Sequence, residues 1–152
     1  MPVLAINKQA GYNYEILETW EAGLVLLGHE VKAIKAGQAN LKGSYVSFRP
    51  GKKSPELYLL QANIAKYKQA GPLPDYQVDR PRRLLLNKKE LDKLKGQEQE
   101  KGLTLVPLRL YTKKGLIKLA IGLAKGKKQY DKRADIKKRD IKRDLQRTLK
   151  MR

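Results

Sequence analysis

The tightest constraint on the fold lies between Leu103 and Ala124. Two runs, Leu103-Thr-Leu-Val-Pro-Leu-Arg-Leu-Tyr111 and residues 116–124, flank Lys113-Lys114-Gly115. In the second run Ile117, Leu119, Ile121 and Leu123 alternate with Lys118, Ala120 and Gly122. A period of two marks a strand with one inward face, so the pair predicts an antiparallel hairpin turning at Gly115. Pro107 offers no N–H to a ladder and predicts a bulge or an edge in the first strand.

The preceding residues carry weaker signals of the same kind. Tyr14 and Ile16 alternate within residues 12–18, which predicts a half-buried strand. Gly23 is expected to separate that strand from a second one over Leu24-Val25-Leu26-Leu27, closed by Gly28. Residues 30–36, with Val31, Ala33 and Ile34 apolar, read as a short helix stopped by Gly37. Strands are expected at 45–48 and 57–60 around Pro50-Gly51-Lys52-Lys53. The Pro- and Gly-rich stretch 71–81 reads as a long exposed loop. Asn87, with Glu90 three residues on, is placed to cap a helix that presents Leu91 and Leu94 to one side and ends by Gly102. Short strands joined by turns, with two or three flanking short α-helices, predict a mainly β fold: a closed antiparallel barrel in the style of oligonucleotide-binding folds, which leaves no free sheet edge.

Charge divides the chain in two. Thirty-four Lys and Arg against 15 Asp and Glu leave a formal charge of +19 over 152 residues. Residues 125–152 hold 13 basic and 4 acidic residues; residues 1–124 hold 21 and 11. The tail is far more densely charged than the body, which predicts a domain over 1–124 and a basic tail over 125–152. From Asp131 onward the tail has no Gly or Pro, and Asp135/Arg139, Asp140/Arg143 and Asp144/Arg147 are spaced for helical ion pairs. Its apolar stripe (Ile141, Leu145, Leu149) is too narrow to build a core, so the tail is expected to be disordered alone and helical against a partner.

This excess of positive charge points to a polyanion, with nucleic acid first and an anionic membrane surface second. The membrane reading lacks an apolar run of about 20 residues and aromatic anchors in the tail. The N-terminus has no secretory signal pattern and the chain has no cysteine, in keeping with a cytoplasmic protein. Catalysis lacks parts. His29 is the single histidine, the carboxylates are scattered among basic residues, and residues 122–128 have the wrong glycine spacing for a phosphate-binding loop. The chain is therefore expected to be no enzyme and to carry no cofactor or metal.

Binding chemistry remains. Tyr12, Tyr14, Trp20, Tyr45, Tyr111 and Tyr130 stand amid the charge and could stack on bases, although most of these fit a core or rim role better. Tyr130 lies between Gly126-Lys-Lys-Gln and Asp131-Lys-Arg133, with no apolar neighbour to pack on except a partner's. Asn87 is either a helix cap or a direct contact. Glu21 is either a turn residue or a group that orients cations and accepts from RNA hydroxyls.

Several segments, in order along nearly the whole chain, carry a family resemblance. They are Asn7-Lys8, 15–23 (EILETWEAG), 28–37 (GHEVKAIKAG), 40–45 (NLKGSY), 80–91 (RPRRLLLNKKEL), 101–108 (KGLTLVPL) and 126–133 (GKKQYDKR). Together they closely resemble the bacterial SsrA-binding protein family, small protein B (SmpB). The resemblance implies a closed antiparallel barrel that binds the tRNA-like domain of transfer-messenger RNA (SsrA). It further implies delivery of that RNA to stalled ribosomes for trans-translation, with the tail in the decoding centre on 16S rRNA and in the empty mRNA channel. Elongation factor Tu would join through the RNA complex, and the chain would act as a monomer. On this resemblance the RNA-facing residues are Asn7, Lys8, Glu21, Leu85, Asn87 and Lys118. The ribosome-facing residues are Gly126, Lys127, Lys128, Tyr130, Asp131, Lys132 and Arg133, with Leu145 and Leu149 as apolar tail contacts. Gly43 and His29 depart from the family's usual acidic residue and Thr, and residues 69–79 show little likeness and imply no role. The main rival is a basic protein that holds rRNA through phosphates alone, which would show little preference between RNAs.

Overall fold

The computed structural model describes residues 2–100 and 102–126, together with Lys137, Arg139 and 141–143. Among the described residues up to 126, nine strands alternate with three α-helices and one 3-10 turn (Lys68–Ala70): β1 Val3–Ile6, α1 Ala10–Asn13, β2 Tyr14–Leu24, α2 Gly28–Lys35, β3 Ala39–Asn40, β4 Tyr45–Arg49, β5 Glu56–Leu60, β6 Asn63–Ile64, β7 Arg82–Leu85, α3 Lys88–Glu98, β8 Leu103–Lys113 and β9 Leu116–Gly126. Seven strands form one antiparallel sheet in the order β1-β8-β9-β2-β7-β5-β4, and β3 pairs with β6 separately.

The β8–β9 hairpin forms as its alternation predicts. Lys113 pairs with Leu116 across a two-residue turn, in which Lys114 and Gly115 both take positive φ (52° and 78°). That mirror-image turn matches the twist of the flanking strands, and Gly115 adopts it without a steric cost. Pro107 produces the bulge: the register shifts between Pro107 and Arg109, while β8 stays interior, with β1 on its other side. Ile117, Leu119, Ile121 and Leu123 enter the main core with Leu105, Leu110, Leu57, Leu59, Ile34 and Leu94. On the opposite face Ala124 is covered by Ala10, Val106, Tyr14, Ile16 and Leu108. Gly122 sits under the same cover, where a Cβ would lie 3.2 Å from both Ile16 Cγ2 and Leu108 Cδ1. Gly122→Ala is expected to cost about 1 kcal/mol by overpacking, read as a lower urea midpoint at unchanged slope; an unchanged midpoint would mean that the cover yields freely.

Both helices expected from their signals are present. Asn87 Oδ1 accepts from Glu90 N (2.9 Å) and its Nδ2 donates to Glu90 Oε1 (2.6 Å), which starts α3; Leu94 is buried beneath it. Gly37, at φ +78°, terminates α2.

Three expectations are corrected. Gly23 does not break the first long strand, since β2 runs through it to Leu24. The strand expected over Leu24–Leu27 is absent, and residues 25–27 lead irregularly into α2. The reason is local: Glu30 Oε1 takes the Leu27 N–H (2.9 Å), which fixes Leu27 as the entry to the helix. The sheet also does not close into a hydrogen-bonded barrel among the described residues. It curls enough for β4 to approach β8, but β1 has β3 and α2 as its further neighbours, and no ladder joins β1 to β4. Residues 71–81 are irregular as expected, yet they are not simply exposed.

Tyr76 and Arg80 of that loop turn inward onto Glu30, which is fully buried along with Arg82. Arg82 donates to Glu30 Oε2 through Nη2 (2.6 Å) and Nε (3.0 Å), and to the carbonyls of Ala62 (2.6 Å) and Val78 (3.0 Å). Arg80 pairs with both carboxylate oxygens, and the Tyr76 hydroxyl lies 2.9 Å from Oε2. Burial alone would raise the Glu30 pKa; hydrogen bonds from Arg80, the Leu27 N–H and Arg82 outweigh it and hold the group at about 2. One carboxylate thereby ties α2 to β7 and to the long loop.

Candidate nucleic-acid interface

The register of five strands assembles one outer face. Leu85 pairs with Gly23, Gly23 with Lys118, Lys118 with Tyr111, and Tyr111 with Val3, so β7, β2, β9, β8 and β1 contribute one row. Gly23 makes the centre of this row shallow. A Cβ there would lie 3.5 Å from Leu85 Cβ and 3.7 Å from Lys118 Nζ, so the ammonium rests over the glycine beside an exposed leucine. Glycine within a strand commonly marks such a close approach. An apolar seat next to a positive charge suits a base or ribose with its phosphate.

Glu21 stands two residues along β2 on the same face, opposite Ala120, which in turn pairs with Arg109 and through it with Ile6. Its carboxylate accepts from the Tyr111 hydroxyl (2.5 Å) and lies 3.4 Å from Lys113 Nζ. The Tyr111 hydrogen bond, aided by Lys113 and Lys118, lowers the Glu21 pKa, so the group is ionised at neutral pH. Burial and the bond to Glu21 push the Tyr111 hydroxyl up to about 12, so it stays a proton donor. Val3, Thr19, Trp20, Glu21, Arg109, Tyr111 and Ala120 enclose an open cleft of about 440 Å³. Glu21 sets a fixed negative charge in it and Arg109 a positive one, an arrangement that repels phosphate from one point and attracts it at another.

Of the residues named from sequence, Leu85, Lys118 and Glu21 therefore come together. Asn7 lies just past the end of β1. Its Nδ2 donates to Pro107 O and its N–H to Leu108 O (both 2.8 Å), so it serves the β8 bulge first. Lys8 beside it is exposed, and with Asn40 and Lys42 the pair lines a second, smaller hollow. Asn87 stands apart, with its amide spent on the α3 cap. Gly126 closes β9 opposite Tyr14. Lys127, Lys128, Tyr130, Asp131, Lys132, Arg133, Leu145 and Leu149 lie outside the described residues. Lys137, Arg139 and 141–143 are helical and exposed, and the Arg139 guanidinium carbon sits 5.4 Å from the centre of the Tyr12 ring.

Sequence reasoning missed Gly23, Arg109 and Lys113 as members of this face. The two-residue turn at Lys114-Gly115 was the signal that could have found two of them, since it sets Lys113 opposite Leu116 and Arg109 opposite Ala120. Among the described residues no group of three or more His, Asp or Glu is placed to hold a metal, and no helix is long and apolar enough to cross a membrane.

The family model described as SmpB protein matches residues 4–151. The chain belongs to the SmpB family. Among SmpB relatives, the SsrA-binding protein of Thermosynechococcus vestitus is 48% identical over 150 residues, covering 99% of this chain and 96% of that protein. The SsrA-binding protein of Shouchella clausii is 47% identical over 150 residues, covering 99% and 93%. A solved SmpB chain, from a structure named "tmRNA-SmpB: a journey to the center of the bacterial ribosome", superposes with a TM-score of 0.67 at 46% identity, covering 85% of this chain and 87% of that one. The SmpB fold is thus a mainly antiparallel β-sheet with short helices.

Proposed function

We propose that this SmpB-family chain binds the tRNA-like domain of transfer-messenger RNA through the outer face of β1, β8, β9, β2 and β7. It carries that RNA to stalled ribosomes for trans-translation. The observation that carries the reading is the Leu85–Gly23–Lys118 row with Glu21 beside it, in a family whose relatives are named for SsrA binding. Leu85 and Lys118 supply an apolar seat and a phosphate partner. Glu21 accepts from ribose hydroxyls or base N–H groups, which a phosphate contact alone cannot discriminate. Asn7 and Lys8 extend the face beyond β1, and Asn87 contributes by fixing the start of α3.

The segment after Gly126 acts in the decoding centre on 16S rRNA and in the empty mRNA channel, through Lys127, Lys128, Tyr130, Asp131, Lys132 and Arg133, with Leu145 and Leu149 as apolar contacts. The chain works in the cytoplasm as a monomer and meets elongation factor Tu through the shared RNA. It acts by binding and performs no catalysis.

Lys118→Ala tests the reading. It is expected to weaken binding to a tRNA-like transfer-messenger RNA fragment and to lower the log–log salt slope by about 0.7–0.9, one phosphate's worth. An unchanged slope and affinity would remove this face from the interface.

A further inference from the structure

The cleft between the β4–β5 turn and α3 has no part in the face described above. Two hollows of about 320 and 300 Å³ meet there and share Ser54, Pro55 and Leu91. Five cations edge them: Lys52, Lys53 and Arg83 on one, Lys88 and Lys95 on the other. The two acids present are Glu56 and Asp92, and Glu56 is already engaged by Arg83 (3.5 Å) and by the Tyr58 hydroxyl (3.0 Å). The floor is apolar and the rim is positive, with lysines on exposed backbone.

The cleft also shares β7 with the first face. Along β7, Arg82 and Leu84 are buried while Arg83 and Leu85 are exposed, so these last two share one side of the strand, about 7 Å apart. Leu85 faces Lys118 across Gly23, and Arg83 pairs with Tyr58 of β5. Cationic side chains therefore stand on both seats that share β7: Lys118 beside Leu85 on one, and Arg83, itself paired with Glu56, with Lys52 and Lys53 on the other.

From this shared strand we infer that the cleft is a second RNA seat, which holds the phosphodiester backbone of the same RNA after it leaves the Leu85–Lys118 row. The inference rests on the proposed RNA-binding face and extends it across β7 and β5. Lys52 and Lys53 take phosphates, Arg83 bridges the two seats, and Pro55 and Leu91 pack against a ribose. Charge complementarity selects the occupant, since an acidic rim or an uninterrupted apolar groove would have suited a protein segment better.

The test uses the full-length chain with Lys52→Ala and Lys53→Ala together, both on an exposed turn, with thermal unfolding to confirm an unchanged fold. Binding to the tRNA-like fragment is titrated across salt for this variant and for Lys118→Ala. The expected result is a salt slope lower by about 1.4–1.8, so that the affinity lost between 50 and 200 mM salt shrinks roughly tenfold. A slope that falls for Lys118→Ala alone would overturn the second seat and leave the first standing. No change in either variant would overturn both. A double-lysine variant that keeps its binding to the tRNA-like fragment but loses ribosome association would overturn the seat for this RNA and assign the cleft to the ribosome instead.

Discussion

Replacing Glu30 by alanine is expected to destabilise the fold by about 3–5 kcal/mol, a fall in Tm of roughly 10–20 °C. The cost arises less from the lost carboxylate than from Arg82, which is fully buried and would keep its charge without a counterion. Tyr76 would lose its carboxylate partner as well, and the loop from 71 to 81 its main anchor. The double replacement Glu30→Leu with Arg82→Met should recover part of the loss, because it removes the charge together with its partner. A Tm within a few degrees for Glu30→Ala alone would mean that the cluster is not structural. The same group sets an acid limit. Its pKa of about 2 in the fold lies below the ordinary 4.5, so its contribution of about 3 kcal/mol is complete above pH 4.5. It is lost as pH falls from 4.5 through 2. The stability of the Glu30→Ala variant should accordingly depend less on pH in that window.

Truncation after Gly126 is expected to separate the two halves of the proposed function. β9 runs to Gly126 and pairs there with Tyr14, so a chain ending at this residue keeps the whole sheet. The removed segment holds twelve basic and four acidic residues. Its loss should steepen no step of recognition, and affinity for the tRNA-like fragment at physiological salt should stay within roughly tenfold of the full chain. Peptide tagging on stalled ribosomes should fall to background. Tagging that persists in the shortened chain would contradict the division of labour. A cation–π pair such as Arg139 over the half-buried Tyr12 contributes about 0.5–1 kcal/mol, which a polyanionic partner easily exceeds.

What could be read from the sequence was written locally. The β8–β9 hairpin is an alternation beside a Lys-Gly turn, the α3 start is an Asn with a Glu three residues on, and the α2 stop is a glycine at positive φ. β7 was hidden because its first residue, Arg82, points inward, against the expectation that arginine faces water. Its counterion is Glu30, 52 positions earlier, and its other acceptors are carbonyls of Ala62 and Val78, none of them legible from the strand itself. β1, β3 and β6 have four, two and two residues, too few to show a period. Gly23 reads as a break by propensity, whereas its missing side chain is what lets Leu85 and Lys118 meet. Sheet closure is a property of two edges far apart in the chain, and no local pattern encodes it. As for the site, the resemblance supplied Leu85, Lys118 and Glu21, and strand register supplies the reason they act together. Asn87 shows the converse: its side chain is accounted for by the helix cap.

The most direct measurement is a competition at matched salt between the tRNA-like domain of transfer-messenger RNA and an unrelated folded RNA of equal length. It is run with the intact chain and with Leu85→Ala/Lys118→Ala. A clear preference for the tRNA-like fold, erased by the double substitution while residual salt-dependent binding persists, is the predicted result. Equal affinity for both RNAs, or a preference indifferent to those two residues, would leave only a polycation that adheres to any phosphate surface.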